Sequence, residues 1–407
     1  MKKYGLLGRK LGHSYSPIIH SFLGKYEYAL YEREPEQLNE FFSDSTVSGF
    51  NVTIPYKKDA LKYCKIITSI AERTKCVNTV IRKNGNYLLG ENTDYYGFMY
   101  MIKKSKIAIE GKKVLLLGDG GSAATIKVVI EDLNAKNLVT ISRRGPVNYE
   151  NIHLHYDSDI IINSTPVGMF PNNGEAVIDI SKFKNCIALF DLIYNPAQTK
   201  LMYDAKQLGI PSYNGLTMLV AQAKKASELF TGSVIDDSVI ENIIDKVSKK
   251  SMNIVIIGMP GSGKSTVGRA LAKLTDRCFI DTDDEVSRTY HKDTAEIIVN
   301  EGESVFRDLE TQILENVTKK SNCVISTGGG IVTRERNKYL IQQNSIIVYL
   351  KRDISLLSTY NRPLSQINDL KKLFESRVDK YEGWSDYQVD CDDISNTHIK
   401  IKEMLGL

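Results

Sequence analysis

The chain predicts an α/β protein made of three successive α/β units with parallel sheets crossed by helices. Three observations carry that prediction. Short apolar, β-branched runs ending in polar or glycine residues alternate with stretches of helical spacing. One such run opens into the glycine-rich loop "VLLLGDGGSAA", and a second, far downstream, opens into "VIIGMPGSGKST". Finally, 407 residues are too many for one ordinary domain and leave room for two or three compact units. We expect boundaries at 1–100 together with 216–247, at 101–215, and at 252–407, with residues 248–251 as a linker.

In order, "GLLG", "GFNVTIPYK" and "VNTVIRKNG" read as short strands separated by turns. "KVLLLG" at Lys113 is a buried strand, and "DGGSAATIKVVIEDLNA" follows it with apolar spacing that suits a helix. "NLVTIS" at Asn137, "DIIINSTPVGM" and "IALFDLIYNP" repeat the strand theme. From Leu216 to Lys246 the pattern turns helical, and the polar "SKKS" separates it from a new strand, "NIVIIG". Met252 at that junction is either a former start codon of a joined gene or simply a linker residue.

A composition of 42% hydrophobic and 25% charged residues is that of a soluble globular protein, and no stretch approaches the roughly 18–20 apolar residues that span a bilayer. The opening "MKKYGLLGRKLGHSYSP" has an apolar run too short and too glycine-broken for a signal peptide, which predicts a cytoplasmic protein. Cys64, Cys76, Cys186, Cys278, Cys323 and Cys391 lie far apart with no C-x-x-C pair, which argues against structural zinc and a disulfide framework. The net charge of +4 is small and dispersed, so small anionic ligands are expected as partners, with no nucleic acid and no membrane.

"GMPGSGKST" satisfies the G-x-x-x-x-G-K-[ST] pattern between a strand and a helix. Gly258, Gly261, Ser262 and Gly263 let the backbone N–H groups curl around phosphate oxygens, Lys264 adds charge for the β and γ phosphates, and Ser265, with Thr266 beside it, offers an oxygen to magnesium. "FIDTDDEV" sets Asp281 and Asp283 on alternate residues at a strand end, facing one side; one carboxylate could assist magnesium while the other contacts an acceptor hydroxyl. "GESVFRDLE" spaces Arg307 and Glu310 one helical turn apart, "VISTGGG" ends a strand in Gly328, Gly329 and Gly330, "STYNRPL" carries Arg362 in a polar stretch, and "ESRVDKY" carries Arg377 on a helical pattern. Any one of these alone is ordinary turn or surface chemistry; their recurrence in one order is not.

Residues 252–407 resemble the shikimate kinase family, a phosphate-loop α/β fold with a parallel sheet. The resemblance implies ATP and Mg2+ as cofactors, Asp283 as the base on the acceptor hydroxyl, and Asp281 supporting Mg2+ through water. It further implies that Arg307 and Arg377 clamp the shikimate carboxylate, that Gly329 and Gly330 bind ring hydroxyls beside Gly328, and that Arg362 closes from a lid onto ATP. Phosphoryl transfer needs mostly positioning and charge neutralisation, and a lid keeps water from the nucleotide. "RVDKY" departs from the family by lacking the proline often found between that arginine and tyrosine.

The first loop, Gly118, Gly120, Gly121, Ser122 and Ala123, is not the usual G-x-G-x-x-G, but between a strand and a helix N-terminus it suits a pyrophosphate, with Asp119 expected to point away. "ISRRG" puts Arg143 and Arg144 where an NAD enzyme would hold an acidic residue, which favours the 2′-phosphate of NADP(H). Upstream, "GHSYSP" presents Ser14 and Ser16 in an extended stretch, "NVTIPYK" alternates Asn51, Thr53 and Lys57 around a proline, and "VNT" and "ENTD" add Asn78 and Asp94. Hydroxyls and amides with one lysine and one aspartate suit a polyhydroxylated ring and a proton transfer.

Those motifs, with "NSTPVGM" and "NGLTMLVAQA", make residues 1–247 similar to the shikimate dehydrogenase family, in which an α/β substrate domain joins a Rossmann-like NADP domain. The likeness implies that Ser14, Ser16, Asn51, Thr53, Asn78, Asp94 and Gln222 hold 3-dehydroshikimate, that Lys57 and Asp94 form the catalytic pair, and that Tyr194 and Gly215 lie where the cleft closes. Ser142, Arg143 and Arg144 stand in place of the family's usual Asn-Arg-Thr at the adenosine phosphate. Together the resemblances predict a bifunctional enzyme in which the product of an NADPH-dependent reduction is the acceptor for ATP. A preference for quinate or NAD, a different small hydroxylated acceptor for the kinase half, and a catalytically silent binding half are the alternatives to it.

Overall fold

The computed structural model describes residues 2–12, 14–83, 87–357 and 370–407. Its strands are β1 (Lys3–Gly8), β2 (Glu27–Glu32), β3 (Val47–Val52), β4 (Ile66–Ile67), β5 (Thr79–Lys83), β6 (Tyr87–Glu91), β7 (Lys113–Leu117), β8 (Asn137–Ile141), β9 (Ile160–Asn163), β10 (Ala188–Asp191), β11 (Ser212–Asn214), β12 (Asn253–Ile257), β13 (Cys278–Asp281), β14 (Cys323–Ser326), β15 (Ser345–Lys351) and β16 (Tyr387–Asp390). Two compact units contain them: Met1–Gly168, Ala176–Tyr194 and Asp204–Ser248 form one, and Met169–Glu175, Asn195–Tyr203 and Lys249–Leu407 form the other.

The first unit holds two sheets. One runs β2-β1-β3-β5-β6-β4 and is mixed, because β3 pairs with β5, and β5 with β6, antiparallel. Its core is aromatic and aliphatic, with Phe41, Phe42, Phe50, Val52 and Val80 buried together. The other runs β11-β10-β9-β7-β8, parallel throughout, over a core that includes Val114, Leu116, Ile126, Ile160 and Phe190. Continuous apolar strands such as "KVLLL" are what a sheet buried on both faces requires. The helices Thr93–Ser105 and Leu216–Thr231 pack along each other in this unit. Asn92 caps the former by accepting from the Tyr95 N–H, and Gly232 at φ 74° ends the latter.

In the second unit a parallel sheet runs β13-β14-β12-β15-β16, with apolar clusters on both faces, Val255, Ile257 and Ile325 facing one and Ile254, Ile256 and Val324 the other.

Five local expectations are corrected. "SKKS" is not an irregular linker: residues 248–251 are the last turn of the helix Ser238–Ser251, and the cut between the units falls after Ser248. Lysines are good helix formers and suit the negative end of a helix dipole, and buried Val247 holds the preceding turn. Ser14 and Ser16 do not share an extended stretch, because the helix Ser16–Leu23 starts there with Pro17 in its first turn. Asp283 is not a strand residue alternate to Asp281: the helix Thr282–Tyr290 begins directly after β13, and Asp281 caps it. Arg377 lies between the helices Leu370–Glu375 and Val378–Trp384, at φ −125°. Last, Cys278 and Cys323 form a disulfide, since the parallel register of β13 and β14 sets them side by side with Cα atoms 4.5 Å apart.

Candidate active sites

The first site collects at the ends of β3 and β5. Asn51 is buried near the end of β3, where its Nδ2 donates to Thr79 Oγ1 at 3.0 Å and its Oδ1 accepts from the Tyr28 hydroxyl at 2.8 Å. Asn78 Oδ1 accepts from the Thr93 N–H at 2.7 Å, and its Nδ2 donates to Thr93 Oγ1 at 3.1 Å and to Gln222 Oε1 at 3.4 Å. Buried amides without partners are costly, so this chain of bonds locks the orientation of each. Thr53 stands one residue beyond β3, tied by its N–H to the Leu7 carbonyl at 2.9 Å and left partly exposed. Ser14 Oγ accepts from the Ser16 N–H at 3.2 Å. Tyr28, Thr79 and Thr93 complete this network; their sequence context, an edge strand and two turn-rich motifs, offered no signal beyond the "NT" pairs.

Lys57 follows on the loop after β3, and its Nζ lies 2.6 Å from Asp94 Oδ2, in the first turn of the helix Thr93–Ser105, and 3.4 Å from Ser122 Oγ. Both side chains of the pair are largely buried, at 13% and 8% exposed. Ser122 belongs to the glycine loop after β7, so the ion pair connects the hydroxyl- and amide-rich pocket to that loop. Gly118, at φ 102°, turns the chain out of β7, and Gly120 caps the helix Gly121–Asp132 with no side chain covering its N–H groups. Those open amides, with Ala123 buried behind them, fit a pyrophosphate. Buried Ser142 and exposed Arg143 and Arg144 lie just past β8, whose end pairs with β7, and Asp119 is exposed. Gly215 precedes the helix that carries Gln222, and Tyr194 packs its ring 5.0 Å from Tyr15, where burial pushes its hydroxyl up to about 12.

The second site is built on β12, β13 and β14. Gly258, Gly261 and Gly263 take φ values of 148°, 81° and 93°, which curl the loop ahead of the helix Lys264–Thr275. Inside the loop Lys264 Nζ donates to the carbonyls of Gly258 and Met259 at 3.0 and 2.9 Å, and Ser262 Oγ is buried with no hydrogen-bond partner. That lysine and that unsatisfied hydroxyl fit a polyphosphate. Ser265 Oγ lies 3.3 Å from Ser326 Oγ, and Ser265 and Thr266 are exposed at the helix start. Among the described residues no three His, Cys, Asp or Glu side chains are placed to hold a metal ion by themselves. One hydroxyl, one nearby carboxylate and phosphate oxygens are a donor set that suits Mg2+, which keeps most of its waters.

Asp281 Oδ1 accepts from the Asp283 N–H at 3.0 Å. Asp283 is half-buried, but its Oδ1 is sealed from water and unpartnered, as is Oε1 of buried Glu310. Burial, then the charges of Glu310 and Asp281, raise Asp283 to about 7. Burial raises Glu310 as well, against the pull of Arg307, whose Nη1 lies 2.8 Å from Glu310 Oε2 and whose Nη2 lies 3.0 Å from Glu303 Oε1. A side chain at Gly330 would overlap that guanidinium, with its Cβ 2.0 Å from Cζ. Gly328 donates its N–H to Thr282 Oγ1 at 3.0 Å, and the Gly329 carbonyl accepts from Arg377 Nη1 at 3.0 Å and from the Tyr381 hydroxyl. A cavity of about 560 Å³ lies between Arg307 and Arg377. Tyr381 was the omission of the sequence reading here, and Glu310, noted there for its spacing from Arg307, was given no role beside Asp283. Arg362 lies outside the described residues.

A parallel dinucleotide-type sheet with an adjacent lysine–aspartate pair, and a phosphate loop facing a buried carboxyl, define a two-centre enzyme: an oxidoreductase joined to a phosphotransferase. The family model for the shikimate dehydrogenase substrate binding domain matches residues 6–80, and that for shikimate kinase matches residues 260–404. The NADP(+) shikimate dehydrogenase of Clostridium perfringens strain SM101 is 35% identical over 268 residues, 61% of this chain and 98% of that protein. Shikimate dehydrogenase 1 from Peptoclostridium difficile matches in structure at a TM-score of 0.57 and 35% identity, over 61% of this chain and 98% of its own. The Thermus thermophilus shikimate 5-dehydrogenase, solved in complex with NADP(H) and shikimate, matches at 0.55 and 26%, over 61% of this chain and all (100%) of its own. The chain belongs to the shikimate dehydrogenase family and carries a shikimate kinase domain, which makes it a bifunctional enzyme of the shikimate pathway with both activities.

Proposed function

We propose that the first site reduces 3-dehydroshikimate to shikimate and that the second phosphorylates shikimate at its 3-hydroxyl. In this reading 1–100 with 216–247 bind the substrate of the reduction, 101–215 bind NADP(H), and 252–407 carry the kinase, all in the cytoplasm. The observation that carries the reading is the Lys57–Asp94 pair, 2.6 Å apart, with Ser122 of the cofactor loop 3.4 Å from the same ammonium. It sets a proton donor within reach of both pocket and loop. The relative from Thermus thermophilus, solved with NADP(H) and shikimate, supports the choice of ligands.

Bound NADPH supplies a hydride to the ketone carbon, and bound ATP supplies the phosphoryl group. Lys57 gives its proton to the oxygen that becomes an alkoxide, while Asp94 keeps the ammonium in place and accepts a substrate hydroxyl. Asn51, Asn78, Gln222, Ser14, Ser16 and Thr53 orient the ring, with Tyr194 and Gly215 at its edge. Arg143 and Arg144, beside Ser142, take the 2′-phosphate. In the second site Asp283 takes the acceptor proton as the oxygen attacks phosphorus, Lys264 steadies the phosphates, and Ser265 with Asp281 holds Mg2+. Arg307 and Arg377 face the acceptor, Gly328 to Gly330 line its ring, and Arg362 is assigned to the nucleotide.

The test gives shikimate to the full chain and two variants, once with NADP+ and once with ATP and Mg2+. Lys57→Ala should lose about 10²–10⁴-fold in dehydrogenase turnover, the worth of a positioned acid, and keep kinase activity; Asp283→Asn should do the reverse. Loss of neither activity in its own variant, or of both in one, contradicts these roles.

A further inference from the structure

The cavity between Arg307 and Arg377 is lined by four cations, the other two being Arg334 and Lys380. Their charges are not equally available. Arg307 is matched by Glu310 at 2.8 Å and Glu303 at 3.0 Å. Arg334, toward the rim, is matched by Asp308 at 3.0 Å and bonded to Ser304 Oγ at 3.1 Å. Arg377 donates to the neutral Gly329 carbonyl at 3.0 Å and also hydrogen-bonds Tyr381; its charge reaches Glu310, but among the described residues no carboxylate forms an ion pair with it. The Lys380 ammonium has neither an ion pair nor a hydrogen bond among the described residues. A carboxylate entering this cavity therefore gains most from Arg377 and Lys380, the two lining cations that no ion pair among the described residues already holds.

Those two stand three residues apart where one helix begins. Arg377 caps the helix Val378–Trp384, the Lys380 N–H donates to the Arg377 carbonyl at 3.1 Å, and both residues line the same cavity. Arg377 is buried and Lys380 half-buried, an arrangement with one fixed, forked donor and one mobile point charge on a flexible stem. We infer that Lys380 is a further binding residue of the acceptor site and that it engages the acceptor's carboxylate together with Arg377. This rests on the assignment of the cavity to the kinase acceptor.

Lys380→Met in the full chain removes the charge and keeps the stem. With saturating ATP and Mg2+, its KM for shikimate should rise about tenfold, the equivalent of one charge-assisted contact, with kcat and the KM for ATP unchanged. Lys380→Arg should restore most of the affinity. With the methyl ester of shikimic acid, which lacks the negative charge, wild type and Lys380→Met should have the same KM. An unchanged KM for shikimate in Lys380→Met, or an equal loss toward the acid and the ester, overturns the inference. Arg377→Met separates the two levels: if it raises the KM for shikimate while Lys380→Met does not, the cavity stands as the acceptor site and only Lys380 is excluded. If neither variant changes that KM, the acceptor binds elsewhere and the assignment of the cavity fails with the inference.

Discussion

Lys57 and Asp283, the proton carriers of the two sites, are sheltered from water under opposite electrostatic conditions. Lys57 lies 2.6 Å from the carboxylate of Asp94, so its charge is balanced within the fold. Burial, then the charges of Glu310 and Asp281, raise Asp283 to about 7, against the opposing pull of Lys264 and Arg307. A proton donor that must reach both pocket and cofactor loop is well served by a counter-ion that fixes its position. A base that must accept a proton only when the acceptor is in place is better served by surroundings that hold its pKa near the working pH. The comparison teaches that burial with like-charge crowding can be the functional feature of a site, with the opposite charges of Lys264 and Arg307 only partly offsetting it.

Breaking that outer support gives the largest expected effect. Arg307→Leu leaves Glu310, whose side chain is 0% exposed, without its cation, and loss of one partner of a buried pair typically costs about 3–5 kcal/mol. The chain has 1 tryptophan, Trp384, buried in the second unit, so denaturant unfolding followed by its fluorescence reports on that unit alone. A midpoint equal to that of the wild type would mean that Glu310 is neutral without Arg307.

The pH profile sharpens the comparison with a smaller effect. A base must be deprotonated, so the kinase kcat/KM for shikimate should fall on the acid side of about pH 7, by about tenfold per pH unit. Glu310→Gln removes a negative neighbour and releases the charge of Arg307, and both changes favour ionised Asp283. The acid limb should move to lower pH; an unmoved limb would show that Glu310 is not charged in the free enzyme. The same shift acts on stability. The folded pKa lies above the unfolded one, so the folded state holds the extra proton between about pH 4 and 7, and raising pH through that window destabilises the second unit.

The smallest change probes the neutral scaffold of the first site. Thr79→Val removes the hydroxyl that receives from Asn51 at 3.0 Å and lies 2.9 Å from Thr93 Oγ1. Loss of such a bond should cost about 1–3 kcal/mol, seen as faster heat inactivation of the dehydrogenase with the kinase unaffected. Equal inactivation of both activities would mean that the two units do not unfold independently.

Much of this was legible because it is local. The strands at "KVLLL" and "NIVII", the loops that follow them and the spacing of Arg307 to Glu310 depend on neighbouring residues, and the structure has them where their patterns put them. The errors arose where local rules met a boundary. Asp281 and Asp283 looked like strand neighbours, but a helix beginning at Thr282 turned the alternation into a cap. "SKKS" looked like a linker because it is polar, although polarity is equally what the exposed last turn of a helix shows. The disulfide was hidden by a sequence separation of 45 residues, and only the register of β13 with β14 reveals it.

By itself, then, the sequence determined the class of each unit, the two phosphate-binding loops and most of the residue types that do chemistry, since backbone curvature and periodic burial act over a few residues. Tertiary structure alone decided which charges meet. It brought Lys57 to Asp94 from 37 residues away, closed Asn78 onto Gln222 across 144, and, among the described residues, left Arg377 and Lys380 outside the ion pairs that Arg307 makes. Electrostatic roles follow distance in space, and where elements pack against one another is set by burying their apolar faces, not by the charged residues that packing brings together.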